Sequence, residues 1–219
     1  MDNQSKELFG QTPWQTVGPF FHYGLAWKGG ADLTGQSELG ARPDLFAPEH
    51  YLLRTPKPRG PVEGIGIEIG GRVLDGDGKP VPDAMVEIWQ ADSGGRYYVP
   101  GATFIGFGRS ATGNDGAYRF LTILPGRVPG PGNSLQAPHI AVGVMARGLL
   151  KRLVTRIYFP DTEGLDTDPI LELVPTERRD TLIARREHRP GAGATNQQAG
   201  AYQFDIILQG VGETVFFDC

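Results

Sequence analysis

From about residue 63 the chain alternates between apolar and polar positions. Ile65, Ile67 and Ile69 are separated by Gly66, Glu68 and Gly70, the period of two that turns one strand face toward a core. Asp75-Gly76-Asp77-Gly78-Lys79-Pro80 is a turn cluster, and Ala84 to Ala91 reads as the returning strand. Phe104 to Arg109 and Ala117 to Ile123 repeat the theme around Asn114-Asp115-Gly116. Ala137 to Arg147 and Leu149 to Phe159 read as a pair joined at Arg147-Gly148, and Tyr202, Phe204, Ile206 and Leu208 mark a last strand. Asp168-Pro169 predicts one or two helical turns, with aspartate as N-cap and proline at the first helical position. Helical periodicity is otherwise almost absent. Short strands between turn signals predict an all-β protein, a sandwich or a barrel with long loops.

The first 62 residues differ. Thr12 to His22 is aromatic, is broken by Pro13, Gly18 and Pro19, and follows neither period. Trp14, Phe20, Phe21 and Tyr23 are costly to leave in water, which favours an extended arm that packs onto another surface. The expected division is therefore an arm and connecting segment over 1–62 and a β domain over 63–219.

Composition narrows the partners. Glycine (32) and proline (18) are abundant, but 11 Phe, 7 Tyr and 3 Trp argue for a loop-rich β protein rather than a disordered chain. A net charge of −4 without blocks of like charge makes nucleic acid and anionic membranes poor partners. Cys219 is the only cysteine, so an intramolecular disulfide and cysteine-based metal sites are excluded. Met1 to Glu7 shows no basic and apolar regions of a signal peptide, and Ile140 to Phe159 carries four cations. The expectation is a soluble, cytoplasmic protein. Gly106-x-Gly108 lies within a β pattern and reads as structural. The sequence carries no G-x-S-x-G, H-E-x-x-H or P-loop motif.

Six ordered blocks carry a resemblance. They are Thr12 to Phe21, Gly71-Arg72-Val73-Leu74-Asp75, Pro80 to Asp92, Gly94-Gly95-Arg96-Tyr97, Tyr118 to Gly126, and Pro138-His139-Ile140. Together they resemble the intradiol ring-cleavage dioxygenases, from about residue 10 to the end. Ala146-Arg147-Gly148 and the ending Gly-Glu-Thr-Val-Phe-Phe-Asp are most similar to the alpha-type chains of that family. The resemblance implies a β-sandwich core with an extended N-terminal arm, and a family in which Fe(III) is held by two tyrosines and two histidines. Those ligand positions fall here on Tyr97, Val128, His139 and Ala141, and the arginine before the histidine pair falls on Gln136. Two donors are too few for tight ferric binding. The expectation is thus a non-iron chain whose Fe(III) belongs to a homologous beta-type partner in an αβ hetero-oligomer, acting on a small dihydroxy aromatic acid with O2. Thr16, Gly18 and Pro19 match arm positions that line the partner's cavity, and Arg147 is the matching candidate for binding a substrate carboxylate.

Each residue also has a plain structural reading. Tyr97 reads as a loop hydrogen-bonder, His139 as a satisfied core histidine, Arg147 as a solvated turn residue and the arm as a surface loop. Two other functions stay open at this point. One is a self-sufficient enzyme with a rearranged iron site recruiting Tyr118 or His22, and the other is a β-sandwich binding module without catalysis.

Overall fold

The computed structural model describes residues 15–18, 30–37, 39–40, 60–187 and 198–218. Two sheets form the core. The first contains β1 (Gly66–Leu74), β4 (Ala117–Ile123), β9 (Arg185–Glu187), β10 (Gln198–Gln203) and β11 (Ile206–Ile207). β1 pairs antiparallel with β4 on one side and parallel with β10 and β11 on the other. The second sheet runs β3 (Phe107–Ala111), β2 (Met85–Gln90), β7 (His139–Met145), β8 (Leu153–Tyr158), all antiparallel. A short pair, β5 (Val128–Pro129) and β6 (Leu135–Gln136), leads into β7. The result is the expected all-β sandwich.

Strand alternation builds the interior. Ile67, Ile69 and Val73 of β1 and Phe120 of β4 meet Val86 and Ile88 of β2, Ile140, Val142 and Val144 of β7, and Ile157 of β8 in one buried cluster. Burying each such side chain contributes about 1.5–3 kcal/mol. One polar clamp crosses this interior. Gln90 of β2 is fully buried, donates to the carbonyls of Ala91 (3.1 Å) and Ile123 (2.9 Å), and accepts from the Thr122 hydroxyl at 2.7 Å. Gly71 permits a second close approach. A Cβ there would strike the Phe204 carbonyl, which accepts the Tyr118 hydroxyl at 2.6 Å.

The hairpin expectation for Ala84 to Ala91 is corrected. After Asp75–Pro80 the chain crosses to the other sheet, so β2 pairs with β3 and β7 rather than with β1. Only Leu74 and Pro80 bridge at the turn. Likewise β3 and β4 flank a turn yet belong to different sheets. The pair at Arg147-Gly148 does form, as β7 and β8, over the shorter spans His139–Met145 and Leu153–Tyr158. The last strand is split into β10 and β11 at Phe204-Asp205, where the Asp205 carboxylate accepts the Arg72 N–H at 3.0 Å.

Asp168 is a cap, but the turn after it is tighter than α. Its Oδ1 accepts the Ile170 and Leu171 N–H groups at 2.9 and 2.8 Å, ahead of the 3₁₀ turn Leu171–Leu173, and a second 3₁₀ segment spans Thr176–Leu182. Residues 30–37, which the pattern assigns to the connecting segment, join the sandwich edge. Leu33 N–H donates to Leu121, and Leu121 N–H donates to Ala31, burying Ala31 and Leu33 in the core. Among the described residues no helix is long and apolar enough to cross a membrane.

Candidate functional site

Two clusters lie near opposite ends of β7. Alternation puts His139, Ala141, Gly143 and Met145 on its outer face. Met145 lies six positions along the strand from His139, or roughly 20 Å at ~3.3 Å per residue.

The first cluster gathers the family's ligand positions. Asp92 builds the loop that delivers Tyr97, since its Oδ1 accepts the Gly94 and Arg96 N–H groups, both at 2.9 Å. Gly95 turns with φ +75° against the Arg127 carbonyl, where a Cβ has no room. The Tyr97 ring then stacks on Trp89 of β2, with centroids 5.9 Å apart and planes within 11°. His139 is buried, and its Nδ1 is 2.8 Å from the Ala137 carbonyl. That contact requires the proton on Nδ1 in a neutral ring. Burial, with a contribution from the nearby Arg156 charge, holds the imidazole below its ordinary pKa. Burial pushes the Tyr97 hydroxyl up, and Arg156 offsets this in part. Val128 stands opposite Gln136 in the β5–β6 pair, and Ala141 stands opposite Trp89 and Arg156.

The donor chemistry here does not fit ferric iron. Tyr97 and His139 offer one oxygen and one nitrogen, Val128 and Ala141 offer nothing, and a guanidinium projects beside them. Tyr118 cannot fill the gap as things stand. Its hydroxyl is buried against the Phe204 carbonyl in the other sheet, and burial pushes its pKa far up. His22 lies outside the described residues.

The second cluster joins the arm to the β7–β8 turn. The Thr16 hydroxyl accepts the Gly148 N–H at 3.1 Å, and the Gly18 N–H points back to it at 3.5 Å. Gly18 has φ +75°, a left-handed conformation that favours glycine. Next to Gly148, the Arg147 Nε is 3.1 Å from Asp83 Oδ2, with the arginine side chain 58% exposed. The opposite carboxylate oxygen of Asp83 is buried without a hydrogen-bond partner. Thr16, Gly18 and Arg147, far apart in sequence, therefore belong to one surface; Pro19 lies outside the described residues. Sequence reasoning missed Asp83, which carried no motif beyond its place in Pro80 to Asp92. It also missed Arg156, whose only signal was a charge in the middle of an apolar strand.

Comparison with known proteins decides the family. A family model described as "Dioxygenase" matches residues 47–210, about three quarters of the chain. The protocatechuate 3,4-dioxygenase alpha chain of Burkholderia cepacia is 41% identical over 217 residues, covering 95% of this chain and 97% of that one. The chain belongs to the intradiol dioxygenases. The beta chain of the same bacterial enzyme is 38% identical over 178 residues, covering 76% of this chain and 74% of that one. Among solved structures, the catechol 1,2-dioxygenase of Acinetobacter sp. ADP1 superposes with a TM-score of 0.56 at 25% identity, over 74% of this chain and 59% of that one. The intradiol dioxygenases are iron enzymes, and this chain has their sandwich.

Proposed function

We propose that this chain is the non-iron alpha subunit of a protocatechuate 3,4-dioxygenase, and that it works in the cytoplasm with a homologous beta subunit. The observation that carries the reading is the likeness to an alpha chain along 95% of the sequence. The donor-poor ligand positions support assigning the Fe(III) to the beta subunit. In the overall reaction 3,4-dihydroxybenzoate and O2 give 3-carboxy-cis,cis-muconate. The carbon–carbon bond between the two hydroxyl-bearing carbons breaks, both oxygen atoms enter the product, and no external reductant is required.

In this reading the chain supplies walls and orientation. The arm and the β7–β8 turn face the partner's cavity together, held as a unit by the hydrogen bond from Gly148 to Thr16. Gly18, in its left-handed conformation, presents a narrow backbone edge to the flat ring. Arg147 offers its remaining N–H groups to the substrate carboxylate, while Asp83 holds the guanidinium from behind. The roughly 20 Å along β7 keeps this cluster away from the chain's own ligand positions, which favours action in trans.

The test is co-expression with a beta-type relative, followed by size-exclusion chromatography, iron analysis and O2 uptake on 3,4-dihydroxybenzoate. A mixed complex with one iron per αβ pair is expected. A chain that alone carries one iron and turns over substrate would refute the assignment.

A further inference from the structure

The turn that carries Arg147 has one peptide it does not itself hold. Ala146 to Leu149 form a β-turn closed by the Leu149 N–H on the Ala146 carbonyl at 3.2 Å. Gly148 stands third with φ +83°, while Arg147, second, stays out of the positive-φ region. That combination is the pattern of a type II turn. Types I and II differ by a flip of the middle peptide, here Arg147–Gly148, whose N–H and C=O take no part in closing the turn. A Cβ at Gly148 would meet nothing within 4 Å, so the backbone conformation and not crowding asks for glycine.

The arm supplies what holds that peptide. The Gly148 N–H donates to the Thr16 hydroxyl at 3.1 Å, and the Gly18 N–H reaches the same oxygen at 3.5 Å. Flipping the peptide would turn the Gly148 N–H away from Thr16 and break the bond. The head group of Arg147 is held separately. Its Nε pairs at 3.1 Å with Asp83, whose side chain is only 14% exposed. Arg147 is thereby fixed at two points, its backbone from the arm and its guanidinium from the segment that enters β2.

We propose that Thr16 is a positioning residue for carboxylate recognition: it locks the Arg147–Gly148 peptide in the type II arrangement and so aims Arg147 at the acid group of the substrate. The inference rests on the reading of Arg147 as the carboxylate ligand in the partner's cavity. The family match places Thr16 along that cavity wall, yet its oxygen is engaged by two backbone N–H groups of its own chain. One hydroxyl thus sets both Gly18 and Arg147, and a carboxylated ring meets its wall and its anchor in a fixed relation. A serine hydroxyl can accept the same bond, whereas a valine of the same shape cannot.

The test uses the complex reconstituted with the iron-holding beta-type subunit, in six forms: unchanged, Thr16→Val, Thr16→Ser, Gly148→Ala, Arg147→Ala, and Thr16→Val with Arg147→Ala. Steady-state O2 uptake is measured on 3,4-dihydroxybenzoate and on catechol, with assembly and iron content checked. Losing one backbone-to-hydroxyl hydrogen bond should lower kcat/KM on the carboxylated substrate roughly three- to tenfold more than on catechol. The loss should fall on KM more than on kcat, and Thr16→Ser should restore most of the selectivity. In the Arg147→Ala background Thr16→Val should have no further selective effect, because the lock has nothing left to aim. Gly148→Ala reaches the same peptide by another route. It disfavours the positive φ of a type II turn without a clash and should reproduce the selective loss. Equal losses on both substrates in Thr16→Val or in Gly148→Ala overturn the proposal, as does a selective loss in Thr16→Val that adds in full to that of Arg147→Ala. If Arg147→Ala itself costs both substrates equally, the carboxylate reading of Arg147 has failed, a result distinct from a selective Arg147→Ala beside a non-selective Thr16→Val. If Thr16→Val does not assemble, Thr16→Ala takes its place, and failure of both makes Thr16 architectural and overturns the proposal.

Discussion

Replacing Arg147 by alanine separates substrate recognition from architecture. The side chain is 58% exposed, and its pairing with Asp83 is a single 3.1 Å contact. A pair this open to water contributes about 0–1 kcal/mol to stability after screening. Losing it should lower Tm by only about 0–4 °C, at the roughly 2–4 °C per kcal/mol that applies to a domain of this size. The kinetic consequence is larger if the remaining N–H groups meet the carboxylate of 3,4-dihydroxybenzoate. A hydrogen bond to a charged group is worth about 1.5–3 kcal/mol, which corresponds to a loss of roughly 10- to 150-fold in kcat/KM. Catechol has no carboxylate and should lose less than about threefold, an allowance of ~0.6 kcal/mol for indirect effects. The assay is steady-state O2 uptake by the reconstituted complex on both substrates, with iron content and assembly checked in parallel. Equal losses on both substrates would refute the reasoning, since Arg147 would then hold structure and not read the carboxylate. Asp83→Asn refines the test. It keeps an oxygen near the guanidinium but removes the charge behind it, so a selective loss on the carboxylated substrate is expected, smaller than that of Arg147→Ala.

Gly18→Val forces a β-branched residue into the left-handed region at φ +75°, a strain of about 1–2 kcal/mol. Because nothing lies within 4 Å of the new Cβ in this chain, assembly and iron content should persist while turnover falls; loss of assembly alone would make Gly18 architectural. Gln90→Leu removes the clamp between the sheets and leaves the Thr122 hydroxyl and Ile123 carbonyl buried, costing about 2–4 kcal/mol. Thermal unfolding should show a Tm lower by roughly 4–16 °C, and an unchanged Tm would show that the clamp contributes nothing. His139 is held below the ordinary imidazole value of 6.5 chiefly by burial, so the unfolded state takes up its proton first as pH falls. The stability of the neutral, buried form is present above about pH 6.5 and is lost on descending toward the lower folded value. Urea titrations from pH 8 to 5 should therefore show a shallower acid-side decline for His139→Asn than for the unchanged chain, and parallel curves would contradict the assignment.

Alternation and turn chemistry are local properties, and they were legible. Ile67 and Ile69 point inward because a strand has a period of two, and Arg147-Gly148 is a turn because glycine accepts φ +83°. The face shared by His139 and Ala141 followed from the same rule. Motif order also carried the family, and the absence of donors at Val128 and Ala141 could be read letter by letter. Strand partners were another matter. Asp75 to Pro80 has every mark of a hairpin turn, yet β2 crosses to the second sheet, where it is hydrogen-bonded between β3 and β7 and its inward residues Val86 and Ile88 join the shared core. Pairing is set by the whole core, not by the turn. The same holds for the two clusters. Thr16 and Gly148 stand 132 positions apart and meet through one hydrogen bond, and Asp83 reaches Arg147 only because its segment passes the end of β7. Arg156 looked like a stray charge in an apolar strand. Only the register that sets it across from Ala141, and the fold that lays Tyr158 and Asp168 behind it, made it a neighbour of the old ligand positions. Sequence determined what each residue is able to do, and the long-range packing of two sheets decided which residues do it together.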